Sequence, residues 1–439
     1  MDTSNPTPSA RINQTDEHRS LPSLSSSPNP LTRRLSRLVF LTSCGPTACV
    51  RWKNRAKALL AELERLDADV LAVQEMDQFE EFWAPWLERA GYGGVYKRRT
   101  QATAAKKDGC GLFFKHNKFE LLAHRGLEYN DEAFAGLRVR VPKPVTDSEL
   151  TVDDGTDDDE TNASPGASVF DVADADGCLD RKRIQCLLTS RARNDDSDAV
   201  AKLPEARKTH VRDCVGILAM LREKRVSYVG EASEKEKAAE GDRDEEKEER
   251  RKKPFLVAST HLFWDPAFPD VKLAQTERLL AETREFVRAF RKASGASGEK
   301  SAGDSPQKTS VPMIVAGDFN SVPGSDVHAA ALRGVPGASP GTPGTPLKSA
   351  YAEALKRPDA LIAKPSDGRD CVSADPTTGE PRHTNVTPGF TECIDYVFVS
   401  DDVVVVAAEP ISGPAATFAG LPDLAHPSDH LPITVTLEY

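Results

Sequence analysis

The chain has 439 residues, of which 39% are hydrophobic and 28% are charged, and its formal net charge is -11. This composition allows one large α/β domain with insertions, or two domains, while the charged residues and the 31 prolines indicate segments outside a compact core. The acidic balance argues against a generally basic nucleic-acid binder, although a local basic groove is compatible with it.

Cysteine spacing and hydropathy argue against several other classes. None of the eight cysteines forms a C-x-x-C pair, so a disulfide framework or zinc site is not expected and a reducing compartment is favoured. No apolar run approaches the roughly 20 residues of a membrane span, which predicts a soluble protein without membrane association.

Residues 1–37 are predicted to be a disordered or targeting tail. Asp2, Asp16 and Glu17 weigh against an organellar transit peptide, so a cytoplasmic or nuclear location is expected.

Helical and strand patterns alternate along the rest of the chain. In chain order, the sequence predicts a helix at 52–64, a strand at 68–75, a helix at 79–92, a strand at 108–115, a helix at 206–225, a strand from 254 to His261, a helix at 271–290, a strand at 311–318, a strand at 392–400 and a final strand after His430. Helices alternating with apolar strands that end in polar residues are typical of a layered α/β protein with its site along one sheet edge.

Low-complexity segments interrupt this pattern. Insertions are predicted at about 145–180, where residues 147–160 contain acids and no bases, and at 229–253, a mixed charge run with almost nothing apolar. Neither segment can bury enough surface to offset the entropy of ordering it, so both are expected to be disordered or solvated. The remainder, from residue 38 to 439, is predicted to be one catalytic domain.

Seven polar side chains lie at or near the strand ends, in five separate segments. They are Glu75, His261, Asp318, Asn320, Asp395, Asp429 and His430. Each has a structural explanation of its own, such as a turn at Asp318 and Asn320 or a core histidine at His261. Taken together, four carboxylates, one amide and two imidazoles are the groups with which a hard cation such as Mg²⁺ assists phosphate-ester hydrolysis.

The ordered motifs VQE, STH, GDFN, IDYVF and SDH resemble those of the endonuclease/exonuclease/phosphatase superfamily. The stretches CVRWKNRAKALLAEL, KKDGCGLFFK and THLFWDP are similar to the carbon catabolite repressor type of deadenylases, which includes nocturnin and the angel proteins, and especially to the plant branch without leucine-rich repeats. The match covers residues 46–140, 206–228 and 254–439. It implies a four-layer α/β sandwich, two packed mixed β-sheets flanked by helices.

The resemblance implies roles for these residues around a Mg²⁺ ion, with Mn²⁺ as an alternative. Glu75 would be the principal metal ligand, and Asp429 would serve the metal at the same or a second position. Asp318 would position or deprotonate the attacking water, and Asn320 would hold the phosphate and that water. One family feature is missing, an Asn that ends a first strand upstream of the helix at 52–64.

The two histidines and four further candidates are expected around the substrate. The resemblance implies that His261 donates to a phosphate oxygen, while His430 faces the scissile phosphate in an orientation held by Asp395. Arg98 and Lys107 are candidates for phosphate contacts, with a solvated basic face as the alternative. Bases of a single strand would stack on Trp264 or Phe390, for which core packing is the alternative.

The sequence therefore favours a Mg²⁺-dependent 3′–5′ exoribonuclease that shortens the poly(A) tails of mRNA and releases AMP, with single-stranded RNA as its partner. A nocturnin-like NADP(H) 2′-phosphatase, a 2′,5′-phosphodiesterase and a catalytically weak RNA- or protein-binding scaffold are the alternatives. No leucine-rich-repeat docking module is predicted, and protein partners are not identified by the sequence.

Overall fold

A computed structural model describes residues 49, 51–99, 108–130, 171–172, 184–187, 210–224, 253–294, 310–337, 344–356, 372–411 and 420–439. The predicted tail at 1–37 lies outside these residues. So does nearly all of the segment upstream of the helix at 52–64, where the Asn of the family pattern is missing. So do Lys107, the insertion at 145–180 apart from 171–172, and nearly all of the insertion at 229–253.

The described residues form fifteen strands and five α-helices. The strands are β1 Val70–Val73, β2 Tyr92–Arg98, β3 Gly109–Lys115, β4 Phe119–Glu128, β5 Asp171–Val172, β6 Ile184–Leu187, β7 Val215–Glu223, β8 Phe255–His261, β9 Met313–Asp318, β10 Leu347–Ser349, β11 Asn385–Thr387, β12 Phe390–Glu392, β13 Asp395–Ser400, β14 Val404–Ala408 and β15 Val435–Glu438. The helices are α1 Trp52–Leu66, α2 Ala84–Arg89, α3 Pro269–Ala293, α4 Asp326–Arg333 and α5 Ala350–Leu355, and a π-helical turn at Phe79–Trp83 precedes α2.

Most strands belong to two mixed sheets. One has four strands in the order β1-β3-β2-β6, and the other has seven in the order β10-β13-β9-β8-β7-β4-β5. Apolar side chains of both sheets form one buried cluster that includes Leu112 and Phe114 from β3 and Ile217 from β7. The α/β class predicted from the sequence is confirmed.

Helices cover the sheets on other faces. Residues of α1 and of the Phe79–Trp83 turn share a buried cluster with the four-stranded sheet. Helix α3 packs against the seven-stranded sheet through Leu279, Leu280 and Phe286, which are all buried. Burying a side chain of this kind contributes about 1.5–3 kcal/mol, so α3 is a substantial part of the scaffold behind the strand ends described below.

The prediction of a helix at 206–225 is wrong, because nine residues of this segment, Val215–Glu223, form β7, which pairs with β4 on one side and β8 on the other. The run Val215–Leu221 is buried throughout. A strand that is covered on both faces shows a continuous apolar run instead of alternation, and such a run cannot be distinguished from a buried helix by periodicity. Among the described residues, no helix is both long enough and apolar enough to span a membrane.

Candidate active site

Three polar side chains lie side by side at one edge of the seven-stranded sheet. In the pairing of β8 with β9, His261 lies opposite Asp318, and in the pairing of β13 with β9, Asp395 lies opposite the same Asp318. His261 Nε2 is 3.4 Å from Asp318 Oδ2, and both residues are buried. The register of three adjacent strands therefore brings together residues that are up to 134 positions apart in the sequence, from His261 to Asp395.

His430 joins this row from the loop before β15. Its backbone bridges to Asn385, and its ring Nδ1 lies 2.8 Å from Asp395 Oδ2. A carboxylate accepts only, so Nδ1 carries a proton and donates it to Asp395. The other ring nitrogen, Nε2, then lies on the side of Asp318, 4.0 Å from Oδ2.

The buried Thr384 fixes the carboxylate that orients this ring. Its hydroxyl donates to Asp395 Oδ2 at 2.6 Å and accepts from the backbone N–H groups of Ile394 and Asp395 at 3.0 and 3.1 Å. Because both backbone donors point at the hydroxyl oxygen, its hydrogen is directed to the carboxylate. Asp395 therefore holds the imidazole with an oxygen that is itself held in place.

Burial lowers the pKa of His430, but the charges of Asp395, Asp318 and Asp429 outweigh this effect and hold the pKa well above its usual value. Burial of Asp318 and the neighbouring charge of Asp395 raise the pKa of Asp318 to about 8. A carboxylate with a pKa near neutrality is a much better proton acceptor than an ordinary one. The pair thus provides one positive and one basic group on the same side of the sheet edge.

Asn320 follows β9 in a left-handed backbone conformation, with φ at 48°. Its backbone N–H donates to Asp318 Oδ1 at 2.7 Å, and its side-chain Nδ2 donates to Asp318 Oδ2 at 3.2 Å and to the Leu262 carbonyl at 3.0 Å. The carbonyl of Asn320 accepts from Nζ of the buried Lys272 at 2.8 Å. These bonds hold Asn320 beside the Asp318 carboxylate.

Glu75 approaches the same group from the other sheet. It follows β1 in a left-handed conformation, with φ at 57°, and is accessible to solvent. Protein atoms around its carboxyl group raise its pKa by removing hydration, Arg99 opposes this shift, and Asp108 and Asp429 add to it. Asp429 is half-buried and also contributes to the raised pKa of His430, so it lies within the electrostatic reach of both groups.

Arg99 contacts a predicted site residue but was not itself predicted from the sequence, as Thr384 and Lys272 were not. Arg99 is buried, with Nη2 at 2.6 Å from His261 Nδ1 and Nε at 2.6 Å from Asp108 Oδ2. The alternation of side chains between the two faces of β2 is the signal that identifies Arg99. Lys97 on the same strand is buried and pairs with Glu128 at 2.6 Å. Side chains two positions apart point the same way on a strand, so a buried Lys97 would have indicated Arg99 rather than its neighbour.

The four candidate substrate contacts have different surroundings. Arg98 pairs with Glu80 at 2.7 Å. Lys107 lies outside the described residues. Trp264 is 53% exposed and Phe390 is 43% exposed, so neither ring is part of the core. Their roles in binding stay predictions.

The charges of the site fit a divalent cation. Glu75, Asp318, Asp395 and Asp429 supply the oxygen donors that Mg²⁺ prefers, and the first two have pKa values raised in part by other carboxylates. Asp318, Asp395 and His430 each offer one ligand atom, with all three within 4.8 Å of one another. A bound cation would neutralise the electrostatic repulsion between these carboxylates.

Residues 48–430 match the model of the Endonuclease/Exonuclease/phosphatase family. This range is far more than half of the chain and includes all seven polar residues. The chain belongs to this family. The predicted superfamily is thereby confirmed.

The relatives of the chain include a protein that is named as an exoribonuclease subunit. The chain is 29% identical over 403 residues to carbon catabolite repressor protein 4 homolog 4 of Arabidopsis thaliana, covering 90% of this chain and 72% of that protein. It is 25% identical over 412 residues to the CCR4-Not complex 3′-5′-exoribonuclease subunit Ccr4 of Yarrowia lipolytica, covering 90% of this chain but only 45% of that protein. The chain therefore spans less than half of the Yarrowia relative.

Solved structures with a similar fold include ANGEL2, described as a 2′,3′-cyclic phosphatase, and the human nocturnin catalytic domain. ANGEL2 is 21% identical with a TM-score of 0.49 and coverage of 92% of this chain and 90% of that one. Nocturnin is 17% identical with a TM-score of 0.41 and coverage of 88% of each chain.

Proposed function

We propose that the chain is a Mg²⁺-dependent 3′–5′ exoribonuclease that hydrolyses the phosphodiester bonds of poly(A) tails and releases AMP. The observation that supports it most is the row formed by His261, Asp318 and Asp395 at the edge of one sheet, with His430 beside it. The likeness over about nine-tenths of the chain to an exoribonuclease subunit supports RNA as the substrate. The two packed sheets with helices on them agree with the four-layer sandwich that the sequence implies.

In the proposed reaction, a water molecule attacks the phosphorus of the last phosphodiester and the bond from phosphorus to the 3′ oxygen of the preceding nucleotide breaks. Asp318 accepts a proton from the water, for which a pKa of about 8 is suited. Asn320, fixed beside that carboxylate, orients the water and phosphate. The leaving 3′ oxygen takes a proton, and AMP departs with its 5′ phosphate.

The two histidines stabilise charge on the phosphate in this scheme. His430, with its raised pKa, faces the scissile phosphate from the Asp395 side, and His261 donates from the other side. Glu75 and Asp429 would hold the cation. When bound, Mg²⁺ supplies charge that neutralises the phosphate oxygens and the developing charge on the leaving oxygen.

Exposed aromatic rings support a single-stranded substrate. Trp264 follows His261 by three positions and is 53% exposed, and its neighbour Phe263 lies beneath the Arg212 guanidinium at 4.5 Å from the ring centroid. Bases stack on aromatic and guanidinium groups of this kind without strong hydrogen-bond readout. Such a surface beside the phosphate-binding row suits an unpaired 3′ end.

The proposal is tested by incubating the purified protein with oligo(A), a mixed-sequence RNA and NADP⁺, each with Mg²⁺, Mn²⁺ or EDTA, and separating the products by chromatography. We expect Mg²⁺-dependent release of AMP, fastest from oligo(A). Release of phosphate from NADP⁺ alone would replace the proposal with a 2′-phosphatase. Absence of turnover with every substrate would leave a binding scaffold as the better interpretation.

A further inference from the structure

We propose that Arg99 is a positioning residue that fixes His261 in the tautomer with its proton on Nε2, so that this ring donates at the reacting phosphate. The role of His261 at a phosphate rests on the proposed function, whereas the tautomer follows from contacts within the protein.

The closest contact between the two side chains decides the tautomer. Arg99 Nη2 lies 2.6 Å from His261 Nδ1 and 3.4 Å from Nε2, so the hydrogen bond goes to Nδ1. A guanidinium group has five N–H donors, no acceptor, and does not lose its proton in proteins. Nδ1 must therefore accept, which requires an unprotonated Nδ1, and a neutral imidazole then carries its proton on Nε2.

Arg99 is held firmly enough to impose this state. Its side chain is 8% exposed, its Nε donates to Asp108 Oδ2 at 2.6 Å, and its Nη1 lies 3.8 Å from Asp213 Oδ1. Burial alone would lower its pKa, but Asp108 and the other surrounding groups hold the pKa well above its already high usual value. The guanidinium is therefore permanently charged and fixed from two sides.

The second ring nitrogen of His261, Nε2, lies on the side of the site where the phosphate is proposed to react. His261 Nε2 is 3.4 Å from Asp318 Oδ2, so the proton on Nε2 lies beside the carboxylate that is proposed to activate water. Arg99 directly follows β2 of the four-stranded sheet, whereas His261 ends β8 of the seven-stranded sheet. The contact thus connects the two sheets at the site and orients a donor contributed by one of them.

The direct test is nuclear magnetic resonance of the full chain labelled with ¹⁵N-histidine, which distinguishes protonated from unprotonated ring nitrogens. The chain has nine histidines, so the His261 signals are assigned by their loss in His261→Gln. We expect a protonated Nε2 and an unprotonated Nδ1. A protonated Nδ1 in the wild-type protein would overturn the proposal, and this result does not depend on any enzymatic activity.

Two substitutions of Arg99 add a functional readout. Arg99→Met removes the donor, so the His261 signals should shift toward the other tautomer, and kcat for oligo(A) should fall about 10- to 100-fold with little change in KM, the size of effect seen when a supporting hydrogen bond is lost. Arg99→Lys keeps a donor and should recover part of both. Unchanged His261 signals in folded Arg99→Met would contradict the proposal, and so would an effect on KM alone. If oligo(A) is not hydrolysed by the wild type while Nε2 is protonated as expected, the proposed function fails and the tautomer assignment stands.

Discussion

Replacing Asp395 by Asn separates the charge of this residue from its geometry. Asp395 Oδ2 accepts from both Thr384 Oγ1, at 2.6 Å, and His430 Nδ1, at 2.8 Å. The Thr384 hydroxyl is already an acceptor for two backbone N–H groups, so its hydrogen must still go to residue 395. In Asp395→Asn the amide oxygen should therefore take the place of Oδ2, with the NH₂ group turned away from the ring.

The expected loss follows from changing a charge-assisted bond into a neutral one. Bonds to charged groups contribute about 1.5–3 kcal/mol and neutral ones about 1 kcal/mol, so the variant should lose roughly 1–2 kcal/mol of stabilisation of the charged His430 ring. At about 1.4 kcal/mol for each factor of ten, kcat/KM should fall by roughly 5- to 30-fold. A loss near 10⁴-fold, as when an amide imposes the wrong tautomer, is not expected because Thr384 selects the amide oxygen.

The assay measures initial rates of AMP release from oligo(A) at saturating Mg²⁺, with urea unfolding as a check on stability. Asp401→Asn is the matched control, since Asp401 follows the other end of the same strand, is 63% exposed and pairs with Lys348 at 2.9 Å. The control should match the wild type. A rate for Asp395→Asn within twofold of the wild type, with normal stability, would refute the assigned pairing with His430.

Three further predictions concern the surroundings of the row. Lys272→Met should lower kcat about tenfold, because the carbonyl of Asn320 loses its buried donor at a cost of ~1–3 kcal/mol. Lys292→Met, at the exposed end of α3, should not lower kcat, and equal rates in the two variants would contradict this. Trp264→Ala should raise KM for oligo(A) by about 5- to 100-fold, the worth of one stacked base, without changing urea unfolding; an unchanged KM would remove this ring from the substrate path. In metal-free protein the pKa of Asp318 is about 8, above its unfolded value, so its contribution to stability should decline as pH rises toward 8, and Asp318→Asn should flatten the urea-unfolding profile between pH ~5 and ~8. A wild-type profile that rises over that range would contradict the last prediction.

The sequence predicted the strand ends better than the strands between them. Glu75 and Asp318 could be found because each follows a short apolar run that is bounded by turn residues, a local signal. The strand β7 was taken for a helix because its two faces are both covered, which removes the alternation that identifies a strand. Burial on both faces depends on the neighbouring elements, so it cannot be predicted from the residues of the segment alone.

The contacts within the site were less accessible to prediction than its members. That His261, Asp318 and Asp395 are adjacent depends on the register of three strands, which separate segments of the chain determine jointly. The choice between Arg98 and Arg99 also depends on which face of β2 is buried, and the structure turns Arg98 to Glu80 and Arg99 to His261. The seven residues could be collected from motifs, whereas the bonds that orient them required the fold.

We propose that carboxylates from both sheets form one metal-dependent centre for phosphodiester hydrolysis. The most direct measurement is the Mg²⁺ dependence of AMP release from oligo(A) by the wild type, Glu75→Gln, Asp318→Asn and the control Asp401→Asn. We predict that EDTA abolishes release by the wild type and the control, and that each site variant is at least about 100-fold slower at saturating Mg²⁺. Release that is insensitive to EDTA, or variants at Glu75 and Asp318 as fast as the wild type, would contradict the account.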